Sequence, residues 1–228
     1  MVSANIIAID GPAASGKSTL GRKLAKYLGY LFFDTGVMYR VVTLVAIERG
    51  ILVENQDEIA DIARKIKIDV RAPTRDDGRA YDVLVDNQDV TWEIRRSEVD
   101  RKVSDIAAIR EVRNALTAPQ RRIGMRGRVV MVGRDIGTVV LPEADLKVYL
   151  IASEKERARR RLAELEARGV HTSFDEVLES VRRRDQIDST REIAPLKPAP
   201  DAVILNSDGL EIKEVLNRLK ELVEGQRG

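Results

Sequence analysis

Ile6-Ile7-Ala8-Ile9-Asp10-Gly11-Pro12-Ala13-Ala14-Ser15-Gly16-Lys17-Ser18-Thr19 joins a continuous apolar run to a glycine-bounded turn, and a helical period follows from Leu20 to Leu28. The apolar run fits a strand buried on both faces of a parallel sheet. Gly11 to Ser18 satisfies G-x-x-x-x-G-K-[ST] in the setting that pattern requires, after a buried strand and before an amphipathic helix. Glycine lets successive backbone N–H groups turn inward as an anion nest, and the helix adds the positive end of its dipole at the same point. Gly11, Pro12, Ala13, Ala14, Ser15, Gly16, Lys17, Ser18 and Thr19 are therefore expected to cradle the phosphates of a nucleoside triphosphate. Lys17 is expected on the β- and γ-phosphates and Ser18 on Mg²⁺. A chance glycine turn before an ordinary helix is the competing reading, and the agreement of strand, helix and position sets it aside.

Working outward, comparable apolar runs recur at Leu31-Phe32-Phe33, Val129 to Val132, Val148 to Ile151 and Ala202 to Leu205. Helical periods lie between them, at Val41 to Arg49 and Ile212 to Val223 among others. Strands alternating with helices predict an α/β fold, with a five-stranded parallel sheet covered on both faces and a ligand site beyond the strands' C-terminal ends. One stretch breaks the rhythm. Ile66, Ile68, Val70 and then Tyr81, Val83, Val85 alternate, with Asp77-Gly78 between them as a hairpin signal, so a small antiparallel excursion is expected. Trp92 after it reads as a packing anchor rather than a stacking platform. Glu154 to Arg168 has helical period but is too rich in arginine for a core helix.

The whole chain of 228 residues suits a single domain, 1–228, with small excursions. Its 39 basic and 37 acidic side chains nearly cancel, which gives no field for a general nucleic-acid binder. Cysteine is absent and His171 is the single histidine, so thiolate and histidine metal sites and cysteine nucleophiles are excluded. His171 reads as a solvated loop residue. No signal peptide or membrane span is apparent. The expectation is a cytoplasmic monomer without nucleic-acid or membrane partners.

The cradle names no reaction, since switches and motors share it. The guanine-reading pattern N-K-x-D is missing, which lowers a GTPase reading. An acceptor site is suggested by arginines on separate elements: Arg40 in Asp34-Thr35-Gly36-Val37-Met38-Tyr39-Arg40, a helix start capped by Asp34 or Thr35; Arg134 beside Asp135 after the third parallel strand; and Arg184, Asp188 and Arg191 near a helix end. The planar guanidinium fork suits phosphate, so their convergence would align an acceptor phosphate with ATP. Taken alone, Arg40 reads more readily as a surface arginine.

Four runs together, the phosphate loop at Gly11, D-T-G-x-x-Y-R at Asp34, G-R-D-I-G-T-V-V at Gly133 and D-S-T-R-x-x-A-P-L at Asp188, resemble the bacterial cytidylate kinase family in content and order from Ile6 to about Val215. The resemblance implies a P-loop NTPase fold of adenylate-kinase type, with an acceptor-binding insertion at about 66–103 and a helical lid at about 154–170. It implies phosphoryl transfer from Mg²⁺-bound ATP to CMP or dCMP. It assigns Thr35, Arg40, Arg134 and Arg191 to the acceptor phosphate, Arg184 and Asp188 to the sugar, and Ser104, Arg113 and Asp135 to the cytosine. Lys17, Arg134 and Arg191 become the catalytic set, and Arg157, Arg160 and Arg161, at i, i+3 and i+4, the lid face over the ATP phosphates. Kinases for UMP or shikimate, and a non-kinase nucleotide switch, are the alternatives. The sequence departs from the family at Val132, where relatives usually carry Asp or Glu, which leaves Asp10 or Asp135 to serve magnesium. Leu141 in place of the usual Phe is a conservative core change.

Overall fold

A computed structural model describes residues 4–71, 73–167 and 169–225. They fall into two compact units, one made of the chain up to Asp34 together with Arg122 onward, the other of Thr35–Arg121.

The first unit is built on a five-stranded sheet. Its strands are β1 (Ile6–Asp10), β2 (Leu31–Asp34), β6 (Val129–Gly133), β7 (Leu146–Ile151) and β8 (Val203–Asn206), in the order β2-β6-β1-β7-β8. All its pairings are parallel. Each strand predicted from an apolar run is present; the central β1 and β6 are buried on both faces, as an unbroken apolar run allows, whereas the edge strands β2 and β8 leave Leu31 and Ile204 exposed. Ile7, Ile9, Val130, Val132, Val148 and Leu150 are buried and pack with Leu20 and Leu24 of α1 (Lys17–Leu28) and with Val215, Leu219 and Val223 of α8 (Ile212–Gly225). β1 lies between β6 and β7, so the loop after it emerges where the strand order reverses, the place such sheets bind ligands. A smaller cluster, Ala158, Val177, Leu178 and Val181, joins α6 (Glu154–Ala167) to α7 (Phe174–Thr190). α7 starts at a capping box in which Ser173 and Glu176 satisfy each other's backbone N–H groups.

The second unit contains α2 (Gly36–Glu48), α3 (Gln56–Lys65), β3 (Ile68–Arg71), β4 (Asp82–Val85), β5 (Gln88–Asp89), α4 (Ser97–Ala108) and most of α5 (Arg110–Gly124). α2 is apolar nearly all round, and it packs against α3, α4 and the 3-10 turn at Glu93–Arg95. The antiparallel excursion is present as the sheet β3-β4-β5, with Ile68 opposite Val85 and Val70 opposite Val83. As expected, Asp77-Gly78 lies in the connection between β3 and β4, within residues 73–81, and a further tight turn, Asp86-Asn87 with φ of 47° and 70°, leads from β4 to β5. Both are αL positions, which Asp and Asn tolerate because their short side chains bond locally.

Residues 73–81 are ordered by charge. Arg79, whose side chain is 1% exposed, bonds Asp77, Asp82 and Asp89 at 2.7–2.9 Å. Thr74 and Thr91 complete the network through Asp82 and Asp89. Trp92 is 45% exposed, so it anchors the excursion by polar contact rather than by burial: its Nε1–H donates to Asp77, and Arg95 lies over its ring.

Candidate phosphate-transfer site

The loop between β1 and α1 has the backbone that an anion nest needs. Ala14 and Gly16 are left-handed, with φ of 58° and 93°. At Gly11, φ is 151° and a Cβ would lie 2.2 Å from the Leu150 carbonyl oxygen, so no other residue fits there. Gly16 occupies the N-cap of α1 without any side chain to fill it, which leaves the first N–H groups of the helix to a ligand. Ser15 Oγ is buried with no hydrogen-bond partner, as expected of a group placed to meet one. Lys17 folds back over the loop and donates to the Pro12 carbonyl at 2.8 Å. Burial drives its pKa well down and Arg134 adds to this, while Asp34 and Asp188 oppose it. A buried ammonium held this way gains most from phosphate oxygens.

Two of the three arginines expected on a lid touch the loop. Arg157 donates to the Ala13 carbonyl at 3.2 Å and is clamped by Asp185 at 2.5 Å. Arg160 donates to the Ser15 carbonyl at 3.3 Å and to the carbonyl of Ser207 at 2.6 Å. Arg161 is instead paired with Glu164 on its own helix, at 2.8 Å.

Beyond the ends of β6 and α7, the acceptor candidates of this unit form one cluster. Arg134 donates from Nε to Asp188 at 2.9 Å, and Arg191 lies 3.7 Å from Asp188 and 3.6 Å from Asp135. Burial would raise the Asp188 pKa, but Arg134, Arg191 and Arg184 outweigh it and hold the carboxyl below its ordinary value. Asp10, at the end of β1, accepts from the backbone N–H groups of Ile136 and Gly137, both at 2.8 Å. Burial nevertheless pushes its carboxyl up to about 6.

In the second unit Thr35 takes the N-cap position of α2, but its side chain makes no cap hydrogen bond. Arg40 is not a loose surface arginine: it bonds the Ile94 carbonyl at 3.0 Å and Asp100 at 2.6 Å. Ser104 is buried in α4. Arg113, 2% exposed, donates to the Ala107 carbonyl and lies 5.3 Å over the Tyr39 ring.

Sequence reasoning missed three partners: Asp34 on Ser18, Asp185 on Arg157 and Ser207 on Arg160. Asp34 and Asp185 lie inside or beside recognised runs, which was the available signal, whereas Ser207 carries none.

The chain matches the family model described as cytidylate kinase over residues 7–225, across both units. The chain belongs to the cytidylate kinase family. Two similar relatives are the cytidylate kinases of Chloroflexus aggregans, 51% identical over 93% of this chain and 92% of that one, and of Herpetosiphon aurantiacus, 47% identical over 98% and 96%. A solved structure of an uncharacterized protein from Eubacterium ventriosum superposes with a TM-score of 0.51 at 11% identity, covering 97% and 99% of the two chains, and shows the fold alone. As a member of the cytidylate kinase family the protein is a nucleotide-binding kinase, and three of the four runs that suggested this, at Gly11, Gly133 and Asp188, make up its loop and arginine cluster. Among the described residues no helix is long and apolar enough to cross a membrane.

Proposed function

We propose that the chain transfers the γ-phosphoryl group of Mg²⁺-bound ATP to CMP or dCMP, releasing CDP or dCDP and ADP. The observation that carries this is that one unit holds both sets of charges at neighbouring strand ends: the loop with Lys17 follows Asp10 of β1, Gly133 of β6 pairs with Asp10, and Arg134 after it is bonded to Asp188 beside Arg191. A cation for the donor phosphates beside a cluster of guanidinium groups suits a reaction between two phosphates, and neither a switch nor a motor needs the second group.

In this reading Gly11 to Thr19 bind the triphosphate and Lys17 neutralises charge on the moving phosphoryl group. Arg134 and Arg191, with Thr35 and Arg40, hold the acceptor phosphate. Asp188 and Arg184 bind the sugar. Ser104, Arg113 and Asp135 read cytosine, whose exocyclic amine donates and whose ring nitrogen and carbonyl accept. The acceptor is already an anion, so alignment and charge neutralisation replace a general base. Residues of about 66–103 serve as the acceptor-binding insertion and about 154–170 as the lid, with Arg157, Arg160 and Arg161 toward ATP. The Ser18 hydroxyl, a hard oxygen donor, fits magnesium, which supplies charge neutralisation between the phosphates when bound. Among the described residues no cluster of three or more His, Cys, Asp or Glu offers a separate metal cage, in keeping with an ion that travels with the nucleotide. The near balance of charge argues against a general nucleic-acid partner, and the reading is completed by a cytoplasmic monomer without membrane partners.

A coupled assay of ADP release tests the proposal. CMP should accelerate release by orders of magnitude over ATP alone; slow release indifferent to CMP would point to a switch, and stimulation by UMP or shikimate only would move the acceptor.

A further inference from the structure

One requirement of the proposed chemistry has no obvious residue. In phosphate-loop proteins the cation is held by the loop Ser or Thr together with a carboxylate at a neighbouring strand end, and here the expected position is Val132. Its side chain belongs to the core: it is fully buried, and a Cβ on Gly21 would lie 2.6 Å from its Cγ1. Asp10 spends both carboxylate oxygens on the backbone of Ile136 and Gly137. Asp135 faces Arg191.

Asp34 differs from both. It ends β2, and the parallel register places it directly across from Val132 on the adjacent strand. Its Oδ2 accepts the Ser18 hydroxyl proton at 2.7 Å. It also acts electrostatically on Lys17 and on Arg134. With its proton directed to Asp34, the Ser18 oxygen keeps its lone pairs for a cation, and the two residues form a hard-oxygen pair of the kind magnesium takes from protein when phosphates supply the rest.

We propose that Asp34 is the carboxylate that, with Ser18, holds the divalent cation of the ATP complex, the acidic group having moved one strand over from the position Val132 occupies. The proposal rests on the kinase reading above. It makes Asp34 a metal-positioning residue and relieves Asp10 and Asp135 of that role.

The test is Mn²⁺ binding followed by electron paramagnetic resonance, with ADP as the nucleotide, on the intact protein. Wild type should bind Mn²⁺ only when ADP is present. Asp34→Asn should weaken that Mn²⁺ affinity about tenfold or more, the range found when groups that orient metal ligands are removed. ADP affinity in EDTA should stay within about twofold of wild type, because the substitution removes no phosphate donor, and Asp10→Asn and Asp135→Asn should keep wild-type Mn²⁺ affinity. Wild-type Mn²⁺ affinity in a folded Asp34→Asn would overturn the proposal and leave the kinase reading standing, whereas no ADP-dependent Mn²⁺ binding in wild type would overturn both. Should Asp34→Asn fail to fold, electron–nuclear double resonance on wild-type protein carrying ¹³C-carboxylate aspartate decides: a carbon coupling to Mn²⁺ in the ADP complex that persists in Asp10→Asn and in Asp135→Asn supports Asp34, and its absence overturns the assignment.

Discussion

The Nε–H of Arg134 donates to Oδ2 of Asp188 at 2.9 Å, joining the loop after β6 to the last turn of α7. Asp188 is 4% exposed and also faces Arg191, so a single carboxylate holds two of the arginines assigned to the acceptor. Holding the arginines in place is thus separable from the sugar contact proposed for it.

Asp188→Ala should expose both. Leaving Arg134 and Arg191 without their shared counter-charge is expected to cost about 3 kcal/mol of stability, as breaking buried pairs generally does. If Asp188 also reads the sugar, the ratio of kcat/KM for CMP to that for dCMP should change; an equal fall for both would leave Asp188 only the first function.

The Arg79 network predicts an acid-sensitive excursion. Hydrogen bonds to Thr91 and then to Arg79 lower the Asp89 carboxyl to about 2, hydrogen bonds to Arg79 and then Trp92 lower Asp77 further, and Asp82 is also lowered. A carboxyl lowered by folding binds its proton more weakly in the native state, so its contribution is present above the ordinary carboxylate pKa and lost as pH falls toward the folded value. Amide exchange in β4 and β5 should therefore accelerate between about pH 4 and 2 relative to the five-stranded sheet. Arg79→Met should show fast exchange there already at pH 7. Protection in β4 and β5 unchanged by Arg79→Met would mean the ionic hub is incidental.

The parallel sheet and the phosphate loop were legible in the sequence for a physical reason: strands buried on both faces need unbroken apolar runs, and a phosphate nest needs glycine at fixed spacing. Ile6 to Asp10 and Gly11 to Ser18 show both. What the sequence hid was pairing between distant side chains. Nothing in the spacing of Asp34 and Ser18 says that parallel strands and a helix start bring them together, and Arg79 looks like any loop arginine until three aspartates are seen around it. The hairpin of β3 and β4 was legible from its alternating runs around Asp77-Gly78, whereas the tight Asp86-Asn87 turn into the short third strand β5 was not, because two exposed residues carry no alternating pattern.

Asp135 tests base recognition. Asp135→Asn keeps the shape but offers an amide donor, which matches the carbonyl of uracil where cytosine has its amine. The rate with CMP should fall and the ratio of UMP to CMP use should rise, since each mismatched donor or acceptor in a closed site costs on the order of 1–3 kcal/mol. An unchanged ratio of kcat/KM values would remove Asp135 from the base.

The central claim is that the phosphoryl group passes from ATP to a cytidine monophosphate. Following the label from γ-³²P-ATP in the presence of Mg²⁺ and CMP measures this directly. The account predicts label in the β-position of CDP, and a loss of about 10²-fold or more in Lys17→Ala, the scale set by removing one group that stabilises transition-state charge. Label appearing only as inorganic phosphate, at a rate CMP does not alter, would contradict it.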